Sequence, residues 1–137
     1  MNTLLFGSRY TDFWELSFDD VSVPEGVIAI TGELKAGFLA AATPMCWAPS
    51  VVREFAEQVR LMDRTLKGDA KLESKSNQSE VTWTLSLNRL GHVESGGRYS
   101  INGNSFDFRF KTDQTRLAPL VEWLDGLIAK YEADKNA

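Results

Sequence analysis

Twice along this chain the spacing of apolar residues switches from every second position to every third or fourth, and that double switch restricts the fold more than any single motif does. Trp14, Leu16 and Phe18 alternate with Glu15 and Ser17, the period-2 pattern of a strand with one buried face. Residues 27–33 and 35–43 read as two further strands, the second small and apolar enough to be covered on both faces, and residues 4–6 as an edge strand. The period then changes: Val52, Phe55, Val59, Met62 and Leu66 recur at three-four spacing, Pro49 suits a first helical turn and Gly68 suits the stop.

The second round repeats the order. Strands are expected over residues 69–74, 80–87, 92–101 and 105–111, with turns at Ser76-Asn77-Gln78-Ser79 and Asn102-Gly103. Val81, Trp83, Leu85 and Leu87 mark one face, and Phe106, Phe108 and Phe110 alternate with Asp107, Arg109 and Lys111, as in an antiparallel sheet wet on one side. A last helix carries Leu117, Leu120, Val121, Leu124, Leu127, Ile128 and Tyr131, with Pro119 in its first turn and Asp113-Gln114-Thr115 ahead of it as the cap. The class is therefore α+β: a mainly antiparallel sheet of about seven to eight strands packed with two amphipathic helices, ordered strands, helix, four strands, helix. A length of 137 residues fits a single domain spanning 1–137, with residues 133–137 as a frayed tail.

Composition narrows the function. One Cys cannot form an internal disulfide, and residues 1–9 carry neither a basic leader nor a long apolar run, so a cytoplasmic location is expected. The longest uncharged stretch, residues 36–52, is broken by Pro44 and Pro49 and is too short for a membrane span. The net charge of -4 is distributed unevenly: residues 1–50 hold six acids and two bases, whereas residues 51–137 hold thirteen of each and sum to zero. An acidic end repels phosphate backbones and steers basic partners, which disfavours nucleic acid as a ligand.

Motif chemistry is sparse. His92 is a possible general base if Glu94 or Asp107 lies beside it, but regular alternation places it on the wet face after a turn. Cys46 lacks a neighbouring base to activate it and reads as a small buried thiol. One His and one Cys do not make a structural zinc site, Asp19-Asp20 lacks an EF-hand's spacing, and Gly96-Gly97 lacks the helix and Lys of a phosphate loop. No cofactor or metal is expected, and a binding protein is favoured over an enzyme. Asp12, Glu15, Asp19, Asp20 and Glu25 read as a solvated acidic region able to meet a partner electrostatically. Trp47, in a proline-bounded segment, is a candidate interface anchor, with packing on the first turn of the helix as its other reading.

Residues 51–128 resemble the WapI-like family of bacterial immunity proteins, partners of polymorphic toxins. The resemblance rests on the helix Val52-Arg53-Glu54-Phe55-Ala56-Glu57-Gln58-Val59, then Leu66-Lys67-Gly68-Asp69-Ala70, Leu90-Gly91-His92-Val93, and the run from Phe106 through Asp113-Gln114-Thr115-Arg116-Leu117. It implies a toxin-neutralising binder and transfers no catalytic residue, and the acidic first third suggests a basic, nuclease partner. The alternatives from the residues themselves are a small-ligand or carbohydrate-binding domain, marked by a deep pocket or by an exposed aromatic platform around Trp14, Trp47 or Trp83, and a small hydrolase using His92.

Overall fold

The computed structural model describes residues 3–76 and 78–136. Two four-stranded antiparallel meanders, each followed by a helix, face one another. The first comprises β1 (Thr3–Gly7), β2 (Phe13–Ser22), β3 (Val27–Ala36) and β4 (Leu39–Trp47), in the order β1-β2-β3-β4, followed by α1 (Pro49–Thr65). The second comprises β5 (Gly68–Lys75), β6 (Ser79–Leu87), β7 (His92–Ile101) and β8 (Asn104–Asp113), in the order β5-β6-β7-β8. A 3-10 turn at Gln114–Arg116 leads into α2 (Leu117–Lys135). The expected class and element order are those observed, with the strands divided between two sheets.

The period-2 faces meet in the middle. Trp14 of β2 and Trp83 of β6, the second strands of their sheets, pack edge to face at 4.9 Å between ring centroids. Phe108 lies 5.0 Å from Trp14, and Phe6 lies 5.5 Å from Trp83. Each indole N–H has a buried acceptor: Trp14 Nε1 donates to Thr43 Oγ1 at 3.0 Å, and Trp83 Nε1 donates to Ser95 Oγ at 2.8 Å. The first bond spans β3 from β2 to β4 and passes over Gly32, where a Cβ would lie 2.3 Å from Thr43 Oγ1. Gly32 is therefore the residue that lets the indole reach across. The helices run antiparallel, tied by Arg53 to Glu132 and by Arg60 to Asp125 at 2.7 Å, with Phe55 of α1 against Trp83.

Several boundaries differ from the sequence expectation. β3 continues to Ala36, and the turn falls at Gly37-Phe38, because the tight reversal needs the positive φ of Gly37. β4 is covered on one face only, since Ala40, Ala42 and Pro44 point to solvent. The proline-bounded segment is strand up to Trp47; Pro44 is tolerated because β4 is an edge strand. Leu66, expected in the apolar stripe of the first helix, takes the left-handed C-cap at φ 57° and is exposed. At Asn102-Gly103 both residues have positive φ, as the tight hairpin requires. In the expected turn at 76–79, Asn77 lies outside the described residues, as does Ala137 of the expected frayed tail, while α2 continues to Lys135.

Candidate functional site

The outer face of the first sheet gathers the acidic residues. Alternation turns Glu15 and Ser17 of β2, Thr31, Glu33 and Lys35 of β3, and Ala40, Ala42 and Pro44 of β4 away from the core. Register sets Glu15 directly opposite Glu33, like charges where cross-strand neighbours ordinarily attract. A bulge between Phe18 and Asp20 brings Asp19 and Asp20 out together, and Thr31 Oγ1 donates to Asp19 at 3.5 Å. Glu25 sits on the turn beyond.

Of the six acids in this half, two have cationic partners among the described residues. Arg9 pairs with Glu15 and also lies over the Phe13 ring, and Lys35 approaches Asp12 at 3.9 Å. Both bases of residues 1–50 are thus engaged. Asp19, Asp20, Glu25 and Glu33 have no ion pair among the described residues. Asp12 differs from the rest: its carboxylate accepts from Gly37 N at 2.9 Å, and Lys35 also donates to Thr11 O at 3.1 Å. These bonds make Asp12 the residue that holds the β1–β2 turn against the β3–β4 turn.

The second sheet's outer face is balanced instead. Arg98 donates to Asp107 at 2.7 Å and Lys111 lies 3.8 Å from Glu94, each pair directly across β7 and β8. The Arg98 guanidinium holds the Asp107 carboxyl below its ordinary range.

Trp47 does not belong to any surface. It is wholly buried, packs edge to face on Trp123 of α2 at 6.2 Å, and its indole N–H has no hydrogen-bond partner among the described residues. The alternation of β4 turns it inward, so an exposed anchor at Trp47 is ruled out. Trp14 and Trp83 are equally buried, which removes the aromatic platform that a carbohydrate module would need.

The hydrolase arrangement does not assemble. His92 is exposed and stands opposite Asp113, not beside Asp107, which is six residues back along β8 and about 20 Å away at strand rise. Asp113 is occupied as a cap, accepting from the hydroxyl and the backbone N–H of Thr115, and these bonds lower its pKa. Glu94 faces Lys111. Among the described residues no carboxylate bonds the His92 side chain, and no three His, Cys, Asp or Glu residues form a metal-holding group. No described helix is long and apolar enough to cross a membrane.

A cleft of about 810 Å³ opens where the first sheet meets the β5–β6 hairpin, and Asp19, Glu25, Cys46 and Lys75 are among its lining residues. Sequence reasoning missed three residues of this half: Glu33, counted in the charge but not singled out, and the exposed Tyr10 and Phe38. Gly37-Phe38 between two strand patterns was the available signal for a tip aromatic.

No protein-family model matches the chain, and no curated protein matches it in sequence. The similarity of residues 51–128 to the WapI-like pattern thus stands as a resemblance of short segments. Among solved structures, the chain is similar to MRP1/MRP2 of Trypanosoma bruciei, at a TM-score of 0.55 and 9% identity over 92% of this chain and 81% of that one. That likeness establishes a shared fold. The CdiA-CT/CdiI toxin and immunity complex from Enterobacter cloacae also matches, at a TM-score of 0.49 and 10% identity over 81% of this chain and 97% of that one, a likeness too weak to carry an argument.

Proposed function

We propose that this protein is a cytoplasmic immunity protein that neutralises a cognate bacterial toxin domain by binding it, with the outer face of the first sheet turned to a basic, nuclease partner. The observation that carries this reading is the placement of charge. The full -4 belongs to residues 1–50, and their carboxylates without an ion pair among the described residues, Asp19, Asp20, Glu25 and Glu33, lie on β2, β3 and the turn between them. A basic surface docking there gains attraction at long range, and its cations give Glu33 the counter-ion that Arg9 already gives Glu15. The small side chains of Ala40 and Ala42 beside Glu33 leave room for the long stems of Lys or Arg to lie flat. The segment resemblance supports the same class of partner.

The test is a search for a toxin-like reading frame immediately upstream of the gene, whose absence would refute the proposal, followed by co-expression with it. Growth rescue, co-purification and an association rate that falls steeply with salt are the expected results. A well-folded protein that neither rescues growth nor co-purifies with that toxin would refute the proposal.

A further inference from the structure

Charge accelerates encounter but does not hold a complex together; residence depends on a few desolvated anchors, mainly aromatic. Trp47 is unavailable for that role, and the one aromatic on the acidic face, Phe13 opposite Lys35, is half-buried with Arg9 over its ring. The two most exposed aromatics among the described residues lie at one end of that same face. Tyr10 occupies the β1–β2 turn with 98% of its surface exposed, and Phe38, on the β3–β4 turn, is fully exposed.

In a meander these two turns fall at the same end, separated by about two strand spacings, roughly 10 Å. They are also fastened together. Asp12 of the first turn accepts from Gly37 N of the second at 2.9 Å, and Lys35 reaches back to Thr11 O at 3.1 Å. Within the first turn, Ser8 N donates to Asp12 O at 3.1 Å and Tyr10 N donates to Ser8 Oγ at 3.3 Å. The aromatic tips are therefore presented on a braced support, so ordering them on binding loses little entropy. Neither ring contributes to the core, and each leaves apolar surface in water.

We propose that Tyr10 and Phe38 form a paired aromatic anchor that inserts into apolar hollows on the basic partner met by the acidic face. This rests on the preceding reading and specifies what fixes the lifetime of the complex. Charge selects the occupant: Arg9 and Lys35 at this end are already committed to Glu15 and Asp12, and the adjoining sheet face carries Glu33 without a counter-ion among the described residues, so a partner covering tips and face together must be cationic around its apolar hollows. A second copy of this chain would set acidic face against acidic face. Asp12 is in this arrangement a positioning residue, holding the tips, and not a contact.

The experiment compares the wild type with the Tyr10→Ala/Phe38→Ala double variant and with Glu33→Gln, using the purified toxin domain encoded beside the gene as the immobilised probe. The double variant should keep the wild-type circular dichroism and melting temperature, since both rings are outside the core, and should dissociate at least about thirtyfold faster with little change in association rate. Glu33→Gln should mainly slow association, by a fewfold at low salt. An unchanged dissociation rate in the double variant overturns the anchor while leaving the immunity reading standing; a wild type that does not bind the toxin overturns both. A concentration-dependent dimer of the wild type that the double variant abolishes would assign the tips to self-association and also overturn the proposal.

Discussion

Replacing Gly32 with alanine tests whether the junction between the two sheets is built as described. The added Cβ would fall 2.3 Å from Thr43 Oγ1 and 2.6 Å from Trp14 Nε1, so the hydrogen bond between those atoms and the methyl group cannot coexist. Both partners are wholly buried, and Trp14 is held by Trp83 at 4.9 Å and Phe108 at 5.0 Å, leaving it no free direction to move. Overpacking costs about 1–3 kcal/mol, a buried hydrogen bond lost without replacement about 1–3 kcal/mol more, and the stiffer unfolded chain returns about 0.4–1 kcal/mol. The net expectation is a destabilisation of roughly 2–4 kcal/mol. Gly126→Ala is the internal control. This glycine sits within α2, and a methyl group added there would meet nothing within 4 Å, so helix propensity should raise stability by about 0.5–1 kcal/mol. Urea unfolding with near-ultraviolet circular dichroism reads both. If Gly32→Ala unfolds within about 0.5 kcal/mol of wild type and keeps its aromatic signal, the interlocked Trp14–Thr43 arrangement is wrong.

Three further outcomes are expected. Leu66→Gly should stabilise by up to about 1 kcal/mol in urea unfolding, because a left-handed leucine at φ 57° is strained where glycine is not. Asp113→Ala should cost about 1 kcal/mol at neutral pH through the lost cap; because Thr115 lowers the Asp113 pKa in the folded state, the stabilisation is complete above the ordinary value of 3.8 and fades as pH falls through the lower folded value, so wild type and variant should converge in unfolding experiments only in strong acid. Glu33→Gln should raise the stability of the free protein by about 0.2–0.5 kcal/mol by removing the charge opposite Glu15, and a loss of stability in the melting curve would contradict the repulsion inferred from the register.

The strands and helices were legible because their faces are one-sided. Val81, Trp83 and Leu85 alternate with threonine and serine, and Val52, Phe55, Val59 and Met62 follow a single helical stripe, so period alone placed them. The division into two sheets was not legible, since periodicity says which face is buried and not which strand is its neighbour. The double coverage expected for β4 was wrong because alanine is compatible with either environment: Ala40 and Ala42 read as core in sequence and stand in solvent. Trp47 was ambiguous for a related reason. Its register in a strand interrupted by Pro44 decides whether it faces in or out, and the sequence does not number that register across a proline. On the surface, the acidic residues were visible as a charge count, whereas the opposition of Glu15 to Glu33 and the bracing of the Tyr10 and Phe38 tips by Asp12 exist only once the strands are paired.

The repeated architecture supplies its own control for reading that surface. Both halves are four-stranded meanders with a solvent-facing side, subject to the same need for solubility and the same cross-strand geometry. On β7 and β8 that geometry is used to neutralise: Arg98 faces Asp107 and Glu94 faces Lys111. On β2 and β3 the corresponding outward positions set glutamate against glutamate, Arg9 pairs with Glu15 alone, and a bulge exposes two more aspartates. Folding alone does not favour the second arrangement, because like charges opposite one another lower stability and a simple Glu-to-Lys exchange would remove the penalty. An excess of carboxylates left on one face, while the sister face is neutralised strand by strand, supports the proposed encounter with a cationic partner.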